Sequence, residues 1–259
     1  MEQWQDQGIV LAVRPHGESG AIVSLLTEQN GRHAGYVRGA HSSKNRGSLE
    51  VGSLVDARWS SRVSEGLGSL TIELSQSYAP RIMQDATRLA ALQSACALCD
   101  ASLPEREGHP GLFHGFIALL ETLEGEHWAA AYVMWEISLL REMGFSLDLT
   151  KCAGGGDSGS LCYVSPKTGR AVSREHGALY KDRLLKLPAF LRPLTARPEE
   201  KLSYEEDILS GLNLTGHFLE HWAFTHHAQG IPEARLRFYA RFAKYVSDLI
   251  PEQAQKLHG

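Results

Sequence analysis

A chain of 259 residues, 43% apolar and 22% charged, has enough material for a sizeable core and enough length for two domains. Its formal net charge of -4 argues, taken alone, against a polyanionic partner, but the charge is unevenly spread: residues 1–80 hold 7 Lys or Arg against 8 Asp or Glu, residues 81–150 hold 4 against 10, and residues 151–259 hold 15 against 12. Met1–Asp6 shows no basic segment leading into an apolar core, and the longest apolar stretch, Trp128 to Leu140, is short and broken by Glu136; neither a signal peptide nor a membrane span is expected, and the protein is expected in the cytoplasm.

From Gly8 the residues alternate with period two. Ile9–Val13 and Ala21–Thr27 read as strands joined by the turn His16–Gly20. Gln29-Asn30-Gly31 is the strongest hairpin signal and suggests a tight I′ turn into a third strand, His33–Arg38. A polar loop, Gly39–Gly47, precedes a fourth strand, Leu49–Ser60, and Glu65-Gly-Leu-Gly68 turns the chain into a fifth, Leu70–Leu74. Five short strands with little room for a helix predict an OB-type barrel over residues 1–80. Within it, Arg32, Arg38, Lys44, Arg46, Arg58 and Arg62 stand against only Glu50 and Asp56 between positions 32 and 62, a local basic island suited to phosphates. Tyr36, Trp59 and Tyr78 offer π faces for bases or, equally, material for the barrel core.

After Tyr78-Ala-Pro80 the period lengthens to nearly four, which predicts a helical domain over 81–259. Ile82–Ala101, Leu112–Leu123 and His127–Met143 are expected helices, the last stopped by Gly144. Residues 150–175 break this pattern: a glycine cluster, Cys152–Gly159, leads into a two-stranded hairpin turning at Pro166–Gly169. Helical patterning resumes at Leu179–Leu187, Tyr204–Gln229 and Pro232–Ile250.

No catalytic constellation emerges. The glycine cluster lacks the Gly-Lys-Ser/Thr of a phosphate loop, and Gly156-Asp-Ser-Gly159 is a flexible turn without a nucleophile elbow. His217 and His221 lie one helical turn apart beside His226 and His227, but no third ligand or HExxH pattern accompanies them. Cys96 and Cys99 fall mid-helix on an apolar face and suit packing; the four cysteines are few, as in a reducing compartment.

The strings Gly8-Ile-Val-Leu-Ala-Val-Arg-Pro-His-Gly-Glu-Ser-Gly-Ala-Ile-Val, Gly31-Arg-His-Ala-Gly-Tyr-Val-Arg-Gly-Ala40, Gly144–Ala153 and Leu161–Ser173 resemble the bacterial DNA repair protein RecO family, and the resemblance runs to His221. It implies an α+β protein with an N-terminal five-stranded OB-fold barrel, an all-α domain and a small zinc-finger-like β-hairpin insertion. It also implies a non-enzymatic recombination mediator of the RecF pathway, without cofactor, that binds single- and double-stranded DNA and anneals complementary strands. Such a protein works with RecR to load RecA onto DNA coated by single-strand-binding protein, whose acidic C-terminal tail some members contact, and resides in the cytoplasm at the nucleoid. Zinc-containing members carry two CxxC pairs in the insertion; only Cys152 and Cys162 stand here, so no metal is expected. The residues assigned to DNA are Arg14, Arg32, Arg38, Lys44, Arg46, Arg58 and Arg62 in the barrel and Arg235, Arg237, Arg241 and Lys244 on the last helix. The alternative is a protein-interaction adaptor whose DNA contact is incidental.

Overall fold

The computed structural model describes residues 2–40, 42, 45, 47–63, 66–193 and 202–256, with side chains to 249. Five strands, β1 (Glu2–His16), β2 (Gly20–Thr27), β3 (Gly31–Val37), β4 (Leu54–Ser61) and β5 (Ser69–Gln76), close into a barrel in the order β1-β2-β3-β5-β4. β1 begins seven positions before the alternation expected at Ile9, because it serves two neighbours. Glu2 to Ile9 pair antiparallel with β4, and Gly8 to His16 pair with β2, with an irregularity between Val10 and Ala12 where the strand passes from one partner to the other. The polar start of β1 was silent in the sequence because Gln3, Gln5 and Gln7 all face outward.

The hairpin between β2 and β3 forms where Asn30-Gly31 marks it, but not as a I′ turn. Among the described residues Arg106 is the one non-glycine with positive φ, so Asn30 does not adopt the left-handed region. A three-residue loop, residues 28–30, instead leads into Gly31 at φ +66°, with Thr27 opposite Gly31. Any side chain at Gly31 would also stand 1.8 Å from the Glu107 carbonyl oxygen. The Asp6 carboxylate completes the turn by accepting from the Gln29 and Asn30 amides at 2.8 and 3.2 Å and from Asn30 Nδ2 at 2.8 Å.

Inside the barrel, Val10, Val23, Leu25, Val55, Ala57, Leu70 and Ile72 form the core with Trp59. β3 meets β5 only through the parallel pair Tyr36 and Ser69. Below that pair the segment Glu105-Arg106 fills the seam: Glu105 bridges Arg32, and the Arg106 amide donates to the Arg32 carbonyl at 2.8 Å. Arg106 holds positive φ (64°), its guanidinium donates to the Gly66 carbonyl at 3.0 Å, and its charge lies 5.6 Å from the Trp59 ring centroid.

The short helix α1 (Ala79–Ile82) is followed by α2 (Ala86–Ser102), capped by the Asp85 carboxylate on the Thr87 and Arg88 amides, and α3 (Pro110–Thr122), which opens on proline. Cys96 and Cys99 are fully buried on α2, and burial pushes both thiols up. These elements and the barrel make one compact unit, Met1–Trp128 with Pro232–Phe238; Ala129–Ile231 with Tyr239–Gly259 make the other.

In the second unit, α4 (Trp128–Glu142) ends as its glycine predicts. Gly144 has φ +88°, its amide bonds the Arg141 carbonyl at 3.0 Å and the Phe145 amide reaches Leu140 at 2.8 Å, a Schellman closure. Glu136, which interrupts the apolar run of α4, is fully buried and accepts from the Thr215 hydroxyl. The insertion is not a two-stranded hairpin. β6 (Leu161–Val164) lies between β7 (Ala171–Ser173) and a third strand, β8 (Leu185–Lys186). The helix expected over Leu179–Leu187 is therefore absent: a single turn, α5 (Arg174–Gly177), and a 3₁₀ segment, Ala178–Arg183, deliver the chain to β8. α6 (Tyr204–Phe218) starts with a capping box, Ser203 Oγ on the Glu206 amide and Glu206 on the Ser203 amide, and passes into a π-turn at Leu219–Ala223. α7 (Glu233–Lys256), whose residues to Phe238 belong to the first unit, buries Phe238, Phe242 and Val246 at four-residue spacing. No described helix is long and apolar enough to cross a membrane.

His33 is the least expected core residue. It is 5% exposed, sits edge-on between Trp4 and Trp59 at 5.0 and 4.6 Å, and neither ring nitrogen has a hydrogen-bond partner. Burial, helped by Arg106 and opposed by Glu105, lowers its pKa from 6.5 to about 4. The unfolded chain therefore protonates first, so the stability held by neutral His33 is complete above pH 6.5 and is lost as pH falls toward 4. Denaturant unfolding across this window should show a loss of about 3 kcal/mol from this group, and His33→Leu should flatten it; an unchanged slope would place the acid sensitivity elsewhere.

Candidate nucleic-acid interface

The outward face of β1, β4 and β5 is polar, with Arg58 near its centre and the carboxylate pair Asp56 and Glu73 in the next row. Gln5 pairs with Arg58, which pairs with Thr71; Gln3 pairs with Ser60, which pairs with Ser69, itself opposite Tyr36. Alternation places all of these on the side away from the core, and Arg58 is exposed among amides and hydroxyls. A depression of about 520 Å³ is lined here by Gln3, Gln5, Arg58 and Ser60, and one of about 620 Å³ by Tyr36, Arg38, Asn45 and Glu73. Both are also lined by Ser69 and Thr71, so the two meet across β5. Asp56, at the far edge, accepts a 2.6 Å hydrogen bond from Ser75.

The assigned arginines divide by what they touch. Arg38, Arg58 and Arg62 are exposed. Arg14 is 63% exposed at its side chain but forms an ion pair with Asp100 at 2.5 Å. Arg32 is only 18% exposed: Nε donates to the Leu103 carbonyl at 2.7 Å, and Nη1 lies 3.3 Å from Glu105 and 3.9 Å from Asp100. It fastens the seam of the barrel and, as placed, presents little charge to solvent. Lys44 and Arg46 lie outside the described residues, although Asn45 between them ties the loop to the Gly39 carbonyl at 3.1 Å.

On α7, Arg235 is 2% exposed and so differs from the surface cation expected there. Arg237 pairs with Glu233 at 2.9 Å, while Arg241 and Lys244 are exposed on the same stripe of the helix. Of the three aromatic faces, Trp59 and Tyr78 are buried at 3% and 2%. Trp59 stacks on Trp4 and donates from Nε1 to the Leu67 carbonyl at 2.9 Å. Tyr36 alone of the three keeps a half-exposed ring, and it lines the second depression beside Arg38.

Other constellations resolve into local structure. The His217 and His221 rings stack at 4.2 Å on the surface of α6 and the π-turn, and burial followed by His221 lowers the His217 pKa. Cys152 accepts from the Ser173 amide at 3.2 Å and its thiol donates to the Ser173 hydroxyl at 3.4 Å, and Ser173 Oγ meets His176 Nδ1 at 3.0 Å. Burial would raise this thiol, but hydrogen bonds from Ser173 and the Gly154 and Gly156 amides outweigh it and hold it below the usual value. Among the described residues no three His, Cys, Asp or Glu side chains form a group able to hold a metal ion.

One basic segment was missed in the sequence. Between Lys167 and Arg192 there are seven Lys or Arg against Glu175 and Asp182. The signal was available as a charge count over 26 positions, but it is diluted when residues 151–259 are summed together.

The family model Recombination protein O N terminal matches residues 1–78, and Recombination protein O C terminal matches residues 83–224. The chain is 50% identical over 244 residues to DNA repair protein RecO of Rhodospirillum centenum, covering 93% of this chain and 95% of that protein. It is 46% identical over 251 residues to DNA repair protein RecO of Rhodospirillum rubrum, covering 95% and 98%, and 47% identical over 244 residues to that of Jannaschia sp., covering 94% and 97%.

The different placements of two arginines separate stability from surface charge. Arg32→Ala should cost about 2 kcal/mol in denaturant unfolding, because it strands the Leu103 carbonyl and removes the cation beside Glu105, whereas Arg58→Ala should change stability by less than about 0.5 kcal/mol. Equal effects would contradict the assignment of Arg32 to the seam.

Proposed function

Because the chain belongs to the Recombination protein O family of DNA repair proteins, we propose that it is a non-enzymatic recombination mediator that binds single- and double-stranded DNA and anneals complementary strands. In this reading it acts in the RecF pathway with RecR, loads RecA onto DNA coated by single-strand-binding protein, and contacts the acidic tail of that protein. It does so in the cytoplasm, at the nucleoid, without metal or cofactor. The observation that carries the reading is the family match in both halves of the chain. The barrel, taken as OB-type, adds a physical rationale in its polar outer face, on which Arg38 and Arg58 are exposed.

Annealing is a problem of charge repulsion. Two strands approach only when their phosphates are screened, and base edges must stay free to pair. Arg58 and Arg38 stand at the two contiguous depressions, where Gln, Ser and Thr side chains can donate hydrogen bonds and Glu73 is the one carboxylate of the lining. Tyr36 supplies a face for one base. Arg62 at the end of β4, Lys44 and Arg46 in the preceding loop, and Arg241 and Lys244 on α7 extend the proposed set. Arg14 and Arg237 come after them, since each already has a carboxylate partner.

Purified protein should accelerate pairing of bare complementary oligonucleotides at low salt, with single-strand affinity falling steeply as salt rises. Replacing Arg38 and Arg58 together with Ala should reduce the slope of log K against log salt by about 1.4 units, and Lys44→Ala with Arg46→Ala by a similar amount. Failure to anneal bare strands, combined with retained binding to RecR or to the single-strand-binding-protein tail, would favour the adaptor reading instead.

A further inference from the structure

The basic segment Lys167–Arg192 surrounds a cleft of about 530 Å³ that lies wholly within the second unit. Arg174 at the start of α5, Lys181 in the 3₁₀ segment, Lys186 on β8 and Arg192 line it, together with Tyr163 of β6 and Tyr204 at the start of α6. The cations come from four separate elements, so the clustering is a product of the fold. Periodicity along one helix does not produce it.

Two carboxylates, Asp182 and Asp207, line the cleft beside its four cations. Asp207 is 8% exposed, and its oxygens accept from the Ala189 amide at 2.9 Å and the Phe190 amide at 3.3 Å, so backbone dipoles already answer its charge. Asp182 is the other acidic residue of the lining. Arg192 is fixed by donating from Nε and Nη2 to the Leu187 carbonyl at 3.1 and 2.9 Å. Lys181 and Lys186 are exposed and make no ion pair with a described residue. Between the cations the lining is apolar and aromatic. Tyr163 packs so closely on Gly177 that a Cβ there would stand 2.5 Å from its ring, and Tyr204 is 40% exposed.

Cations on the margins with aromatic faces between them match a chain that alternates phosphates with flat bases. We propose that this cleft is a second binding site for single-stranded nucleic acid. Lys181 and Lys186 take backbone phosphates, Arg174 and Arg192 add fixed positive charge, and Tyr163 and Tyr204 stack bases. The proposal rests on the reading of the chain as a DNA-binding protein, and adds to it a site on an element remote in sequence from the barrel. A protein that holds strands at two places is equipped to bring complementary strands together.

The test uses the full-length protein and an oligodeoxynucleotide carrying 5-iododeoxyuridine, photocrosslinked and mapped by mass spectrometry, beside salt titrations of binding. Crosslinks are expected at Tyr163 or Tyr204 in addition to the barrel. Lys181→Ala with Lys186→Ala should remove them and lower the salt slope by about 1.4 units, while Lys181→Arg with Lys186→Arg should keep both, which separates lost charge from lost fold. Crosslinks confined to the barrel with an unchanged slope would overturn the cleft and leave the proposed function standing. Absence of oligonucleotide binding by the unaltered protein at low salt would overturn both. If the alanine pair abolished binding of an acidic peptide but not of the oligonucleotide, the cleft would be a protein-docking site and the proposal would fail.

Discussion

The barrel depends on an unfinished seam. β3 reaches β5 at a single parallel pair, so the lower part of β3 would expose backbone groups beside a buried core. The segment after α2 supplies what the missing strand would: the Arg106 amide takes the Arg32 carbonyl, and Arg32 in turn holds the Leu103 carbonyl and Glu105. Arg106 then reaches over Trp59 to the loop between β4 and β5, through the Gly66 carbonyl. Barrel and helical elements of this unit are thereby locked together by side chains that composition alone would assign to a polyanion. Arg14 joins them through Asp100.

Closing the seam in this way determines which cations remain for a ligand. Arg38, Arg58 and Arg62 face outward from strands and strand ends that the closed barrel already holds rigid. A binding face on strands needs little ordering when a polyanion arrives. The formal charge of -4 is a sum over the whole chain, so it says little about affinity for DNA at one face.

Much of the architecture was legible in the sequence because it follows from periodicity and turn chemistry. The five strands, the helix ended by Gly144 and the helix that starts at Tyr204 each rest on local patterns that tertiary packing reinforces. What escaped was non-local. The polar start of β1 is a strand only because β4 lies beside it, and β8 is two residues long and exists through β6. Trp59 and Tyr78 could be read as stacking faces or as core, and burial decides for the core. Arg32 and Arg58 are indistinguishable as letters; one faces Leu103 and Asp100 across the seam, and the other faces water. The basic cleft near β8 was hidden because its cations converge from four elements.

The most direct measurement of the account is amide hydrogen exchange with and without a saturating single-stranded oligonucleotide. New protection is expected in peptides spanning β4, β5 and the end of β3, where Arg58, Thr71 and Arg38 line contiguous depressions. The seam peptides around Arg32 and Arg106 should stay unchanged, since they are already bonded within the fold. Protection at the seam with none on β4 and β5 would contradict the assignment of structural and DNA-facing arginines.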